Sequence, residues 1–470
     1  MSIVILGAGP AGLTAAYEAG KHNLHPVVLE KDSDVGGISK TVDYKGYLFD
    51  IGGHRFFTKY AEVQRVWDEI LGDEFLTRPR LSRIYYNNRF YFYPLKPLNA
   101  LFNLGFLTSL NVVLSYLKAQ VRPYQEVENF EQWVSNKFGK KLFQIFFKTY
   151  TEKVWGTPCS EIRADWAAQR IKGLSLGKAI LNSLGFLKRN QVTTLIDQFQ
   201  YPRRGPGQMW VRAKDLTQAM GGSVHLNSRV MKIRREGDRI VSAEADRNGN
   251  LAAFTGEYFL STLPLQELVN MLDPPPPQDV RDAAAGLKYR DFFTVGLIIS
   301  KSDILPDNWI YIHSPDVKVG RIQNFKNWSP DMVPDPSTTS LGLEYFCFAT
   351  DEIWSRDDRD LIAMAAEEVE RLKFAARDQV LDGIVIRSPK TYPIYDGGYQ
   401  DRVQIIRDYL ATLKNLQTMG RNGLHRYNNQ DHSMLSALFA VRNVLGENLS
   451  VWDINIDEEY HEIKEETHAA

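Results

Sequence analysis

Cysteine is scarce: the 470 residues contain two, Cys159 and Cys347. Two thiols cannot build a disulfide framework or a cysteine-rich zinc site, so no metal centre is expected, and such low usage fits a reducing compartment. Net charge is also missing. Lys and Arg total 56 against 57 Asp and Glu, a formal charge of −1. No general field therefore draws the chain to nucleic acid or to a membrane, and an anionic ligand must be held by locally placed arginines. Internal repeats and low-complexity tracts are absent. The first strand begins at Ile3, which leaves no room for a signal peptide and makes the cytoplasm the expected location. At 44% hydrophobic and 24% charged residues the chain is an ordinary globular mixture, long enough for two or three folding units.

One run lacks charge altogether. Pro97 to Tyr116 holds no Asp, Glu, Lys or Arg, and its length reaches across a bilayer. Asn99, Asn103 and Asn111, with several Ser and Thr, disfavour insertion. A buried helix pair in a substrate domain is expected here, and membrane contact is not.

What is present begins at the N-terminus. "ILGAGPAGLTAAYEAG" places a G-x-G-x-x-G pattern after an apolar strand and at the start of a helix. Gly7 permits the tight turn, Gly9 lets backbone approach a pyrophosphate, and Gly12 allows close helix-to-strand packing. The helix that opens at Pro10 and Ala11 supplies unpaired N–H groups and a partial positive charge for phosphates. Glu30, with Lys31 after it, ends the second apolar strand "PVVLE", where a carboxylate accepts hydrogen bonds from a ribose. Two further glycine pairs, Gly36-Gly37 and Gly52-Gly53 beside His54, suit a long flavin nucleotide that touches several loops. FAD is therefore expected over NAD, with NAD(P)H as a candidate reductant.

The expected fold is α/β: a Rossmann-like, glutathione-reductase-type FAD domain with a helical insert and a mixed-sheet substrate domain. The FAD domain is assembled from 1–96, 191–275 and 401–470, the helical insert is 97–190, and the mixed-sheet domain is 276–400. "DHSMLSALFAVRNVLG" reads as a helix with Asp431 as N-cap and Gly446 just past its end. Arg247-Asn248-Gly249 reads as a turn between strands, and the acidic stretch 457–470 as a solvated tail.

Several segments carry a family resemblance. "GAGPAGL…VLEKDSDVGG" resembles the flavin amine oxidase and protoporphyrinogen oxidase superfamily. "DIGGHRFF", "NFEQWVSNKFGKKLFQIFFKTYTEKVWGTPCSEIRADWAAQRI", "VGRIQNFKNWSP" and "RNGLHRYNNQDHSM" are similar to UDP-galactopyranose mutases, in family order along most of the chain. The resemblance implies a redox-neutral reaction, in which reduced flavin N5 attacks the anomeric carbon of a nucleotide sugar and the ring recloses at a different size. It implies pyrophosphate binding by Arg170 and Arg321 and a flavin-responsive His54; Asn324 and Lys326, close to Arg321 in sequence, are expected to assist it. It places Tyr392 and Tyr427 near the sugar and phosphates, Trp155 and Trp166 at the cleft, and the helix start Asp431-His432-Ser433 at the pyrimidine end of the flavin. The bacterial mutase signature is absent, and Arg55 stands where an apolar residue is expected. An FAD-dependent oxidoreductase of the amine oxidase or desaturase type is the alternative; it predicts an apolar pocket without paired arginines.

Overall fold

The apolar run at Ile3–Leu6 is wholly buried and forms the middle strand of a five-stranded parallel sheet. Its order is Leu416–Thr418, Tyr258–Ser261, Ile3–Leu6, Pro26–Leu29 and Ser223–His225. The structure, a computed structural model, describes residues 1–93, 95–164 and 197–455. Parallel strands buried on both faces read as continuous apolar sequence, as IVIL and PVVL do. The helix Pro10–Lys21 packs on this sheet and the helix Gln430–Val444 packs against that helix, a close approach allowed by small residues such as Ala15, Ala16, Ala437 and Ala440, all fully buried. Three parts of the chain far apart in sequence thus form one α/β unit of the expected class.

A second, four-stranded sheet is an antiparallel meander of Ser228–Glu236, Arg239–Arg247 and Asn250–Thr255, with Leu272–Asp273 added in parallel. Its second hairpin turns at Asn248 and Gly249, both with positive φ (54° and 87°). That conformation matches the twist of a two-residue hairpin.

The third sheet has seven strands: Val380–Pro393, Tyr289–Ile299, Thr339–Cys347, Arg321–Asn324, Trp309–Ile312, Ser82–Tyr86 and Arg89–Phe92. All neighbours are antiparallel except Trp309–Ile312 with Ser82–Tyr86. The strands at 82–92, assigned from sequence to the first FAD segment, therefore belong to this seven-stranded sheet. The alternation in "SRIYY" is equally compatible with either sheet, and only the non-local pairing decides.

The charge-free run forms two helices, Pro97–Leu104 and Phe106–Val121, parted at Gly105. Among the described residues no helix is long and apolar enough to cross a membrane. The pair is not buried as expected: in the second helix Val112 is the fully buried residue, while Leu107, Leu110, Leu114 and Leu117 are exposed. Its apolar residues occur all round the helix, and its inner side rests on the helices around Gly139, where a Cβ would lie 2.7 Å from the Tyr116 nitrogen. Arg170, Trp166, most of the C-terminal half of the helical insert and the acidic tail lie outside the described residues.

Candidate active site

Two cavities meet beneath the glycine loop. The first, of about 600 Å³, is lined by Gly7, Gly9, Pro10, Ala11, Glu30, Lys31, Gly37 and Ser433. Its glycines are required for different reasons. A Cβ on Gly7 would meet Thr262 Oγ1 at 2.2 Å, and one on Gly12 would meet the Gly7 carbonyl at 1.9 Å, so protein packing alone fixes both. A Cβ on Gly9 would meet nothing nearer than Gly37 Cα at 3.9 Å; it would instead project into the groove a dinucleotide phosphate needs. Glu30 is 7% exposed and accepts hydrogen bonds from the Ala8 and Asp32 N–H groups at 2.7 and 3.0 Å. Burial pushes its pKa up despite these bonds. A carboxylate has lone pairs beyond the two used, so it can also take a ribose hydroxyl.

The second cavity, of about 310 Å³, lies between the FAD unit and the seven-stranded sheet, and shares Ile38, Ile51, His54, Arg421, Asn429 and Gln430 with the first. At this junction Gln430 Oε1 accepts from Ser39 Oγ at 2.6 Å, while its buried Nε2 has no partner among the described residues. An unsatisfied buried donor is costly, and here it points to a ligand acceptor. The donor set, the Gly9 cradle and the helix start fit a flavin dinucleotide, which these residues would hold.

The helix Gln430–Val444 starts at the junction, but its N-cap is Asn429 and not Asp431. Asp431 sits inside the first turn, buried on the cleft wall. His432 Nδ1 accepts from the Asn429 N–H at 3.2 Å, and its ring meets Tyr60 edge-on. His432 therefore closes its own helix start and lines neither cavity, because successive helical residues turn by about 100°. Ser433, the next residue round, lines the groove.

His54 lines both cavities. Its Nε2–H donates to the Ile51 carbonyl at 2.8 Å, and burial, reinforced by the nearby Arg421 charge, pushes its pKa down to about 4. It is a neutral, anchored imidazole at pH 7. The preceding glycines serve the opposite wall: a Cβ on Gly53 would lie 2.9 Å from Gln323 Nε2, and one on Gly52 3.6 Å from both Arg321 Nη2 and Glu344 Oε1.

Arginines dominate the cleft: Arg55, Arg80, Arg321 and Arg421 all line it. Arg321 reaches it because strand side chains alternate, which sends Arg321 and Gln323 to the cleft and Asn324 away from it. Asn324 Nδ2 donates instead to the Leu305 carbonyl at 3.0 Å, and Lys326 Nζ to the carbonyls of Ser302, Pro336 and Thr338. Both residues brace a loop and contact no ligand site. Trp155 lines neither cavity; Trp67, Trp309 and Trp328 line the cleft. Tyr392 and Tyr427 stack at 5.5 Å with planes 14° apart, and Arg421 lies over both rings, at 5.5 and 4.9 Å. Arg421 Nε and Nη1 donate to the Asn428 and Thr391 carbonyls. Arg80 is clasped by Tyr93 and Trp309, its centre 5.8 and 5.3 Å from the rings, and its buried Nε has no partner among the described residues.

Sequence reasoning missed Arg80, Arg421 and Gln323. Arg421 stood at the start of the quoted "RNGLHRYNNQDHSM", and Gln323 in "VGRIQNFKNWSP". For Arg80, in "TRPRLSR", no local pattern separates it from a surface arginine.

The chain belongs to the flavin containing amine oxidoreductase family, which matches residues 10–426; this is an enzyme family whose cofactor is FAD. A 15-cis-phytoene desaturase of Narcissus pseudonarcissus is 24% identical over 423 residues, covering 83% of this chain and 70% of the relative. Matches to phytoene desaturases of Glycine max and an Oncidium hybrid cultivar span about half of those relatives' length. Among solved structures, reduced UDP-galactopyranose mutase superposes with a TM-score of 0.82 at 21% identity, covering 96% of each chain. Wild-type putrescine oxidase bound to putrescine superposes at 0.62 with 15% identity, over 95% of this chain and 100% of that one. At these identities the superpositions show the shared fold.

Proposed function

We propose that this enzyme is an FAD-dependent sugar-nucleotide mutase, interconverting pyranose and furanose forms of a nucleotide sugar. The observation that carries the reading is the arginine-rich cleft beside the flavin groove. Four guanidiniums face a small space lined by one carboxylate, Asp431, with Glu344 behind it bonded to Arg321. A hydrocarbon substrate gains nothing from buried cations, and a protonated amine is repelled by them. A pyrophosphate meets them in charge-assisted, fork-shaped hydrogen bonds.

When bound and reduced, FAD supplies the nucleophile that the anomeric carbon requires. The chain's own residues do the rest. Arg80, Arg421 and the part of Arg321 not engaged by Glu344 hold the diphosphate and stabilise the charge that grows as it departs. The stacked Tyr392 and Tyr427 form a flat wall beside Arg421 that limits how the sugar lies. The neutral His54 fixes the Ile51–Gly53 loop against the sheet and leaves the junction without an added positive charge. The start of the helix Gln430–Val444 would supply partial positive charge to a reduced flavin held in the groove. Aromatic walls from Trp67, Trp309 and Trp328 keep water from the reacting carbon.

The similarity to phytoene desaturases supports a second reading, a flavin oxidoreductase acting on an anionic substrate. Incubating nucleotide sugars with oxidised and with dithionite- or NAD(P)H-reduced enzyme, and resolving furanose from pyranose products, separates the two. Conversion confined to the reduced enzyme supports the mutase. Substrate-driven bleaching of oxidised flavin without ring conversion overturns it.

A further inference from the structure

We infer that the outer face of the helix Phe106–Val121 is a docking surface for an anionic lipid bilayer, with the helix lying in the headgroup plane. Leu107, Leu110, Leu114, Leu117 and Val121 are exposed at 74, 46, 54, 52 and 80%. Their spacing of three and four residues places them on one face of the 16-residue helix. Phe106, at the start of the same face, is 81% exposed, and Phe102, just before Gly105 on the preceding helix, is 82% exposed. A contiguous exposed apolar surface on this scale marks an interaction site.

Charge decides the partner. The chain as a whole is nearly neutral, but between Glu74 and Glu126 there is no acidic residue at all. The exposed Lys96, Lys118 and Arg122 bracket the apolar face at both ends. Apolar side chains flanked by cations, on a stretch with no acid between Glu74 and Glu126, fit a surface of acyl chains and negative headgroups. A second copy of the chain fits less well. Five positions on one helix fall short of the three or four heptads a coiled coil sustains, and the stretch offers no carboxylate to meet the partner's cations.

Asn99 and Asn103, which count against insertion in the sequence, anchor the surface to the seven-stranded sheet. Asn99 Oδ1 accepts from the Phe92 N–H at 3.2 Å, and Asn103 Nδ2 donates to the Phe90 carbonyl at 3.0 Å. Phe92 leads directly to Tyr93, which is exposed and also lines the cleft. The docking surface is thus bolted to the wall of the active-site cleft, so that docking presents the cleft beside the headgroups.

The test is vesicle flotation of the full-length flavoprotein, with phosphatidylcholine alone and with phosphatidylcholine containing phosphatidylglycerol. The wild type is expected to float with the anionic vesicles and to be released by high salt. Leu114→Glu with Leu117→Glu should reduce binding at least about tenfold. Lys118→Glu with Arg122→Glu should reduce it by about fivefold or more per cation and weaken the salt dependence. All these positions are exposed, and unchanged melting temperatures would verify folding. Failure of the wild type to float with either vesicle overturns the inference. So does a wild-type dimer in light scattering that Leu114→Glu with Leu117→Glu makes monomeric, which would assign the face to a second copy.

Discussion

Arg321 and Glu344 stand directly opposite each other on neighbouring antiparallel strands, and Arg321 Nε donates to Glu344 Oε2 at 2.6 Å. Glu344 is fully buried and also accepts from Gln323 Nε2 at 2.7 Å. The pair holds Arg321 at the cleft wall while neutralising part of its charge. This makes Glu344 a brake on anion binding as well as a structural partner.

Glu344→Gln should therefore separate stability from affinity. Leaving Arg321 without its buried counter-charge is expected to cost about 3 kcal/mol in unfolding free energy. The same change should tighten binding of a nucleoside diphosphate, because the released guanidinium meets it unopposed. Denaturant unfolding and titration calorimetry on one preparation check both; weaker binding together with lost stability would show that the pair orients Arg321 more than it neutralises it.

Arg80 is placed by aromatic rings and not by a carboxylate, so it is expected to give its full charge to substrate. Arg80→Leu should weaken nucleoside diphosphate binding by about tenfold to a hundredfold, the worth of a charge-assisted hydrogen bond. Its melting temperature should change little. Binding within a factor of two of wild type would remove Arg80 from the site.

The loop glycines should respond differently to the same substitution. Gly12→Ala drives a methyl into the Gly7 carbonyl, and a loss of at least about 3 kcal/mol is expected. Gly9→Ala has room within the protein, so the apoprotein should melt normally while FAD affinity collapses. Flavin fluorescence titration beside thermal melting tests the contrast, and it fails if Gly9→Ala binds FAD as tightly as wild type.

Two further histidines make stability pH-dependent. Burial, aided by the nearby Lys153 charge, holds His313 neutral down to about 3, and burial holds His425 neutral down to about 4. Unfolded, both take up protons below an ordinary value of 6.5. Their contribution is complete above that value and is lost as pH falls toward the folded values, about 2 kcal/mol for each near pH 5. Substituting Gln at either position should flatten the fall in melting temperature between neutral pH and pH 5. An unchanged slope would mean that the imidazole already titrates in the folded protein.

The fold was legible where local sequence and tertiary role coincide. The glycine loop, the buried parallel strands, the Asn248-Gly249 hairpin and the helix ending before Gly446 each announce themselves within a few residues. Arg321, Tyr392 and Tyr427 were reached through the family resemblance, and the structure gathers all three in one cleft with His54. The errors lie where non-local geometry decides. Asn324 and Lys326 adjoin Arg321 in sequence, yet strand alternation and a carbonyl-lined loop turn them away. Arg55, flagged as a departure, faces the cleft. The helix pair at 97–121 was read as buried because apolar sequence usually is; which elements cover it cannot be read from composition. His54 was expected to respond to the flavin; what local sequence does not carry is its burial beside Arg421, which pushes its pKa down.

The central claim is that the bond between the anomeric carbon and the pyrophosphate breaks and reforms in this cleft. Its most direct test places heavy oxygen in that bridge of a nucleotide sugar and follows its position with reduced enzyme. The account predicts scrambling of the label into the non-bridging phosphate positions, in step with ring-form conversion and absent with oxidised enzyme. A label that stays in the bridge while the substrate is consumed would contradict it and identify the reaction as an oxidation.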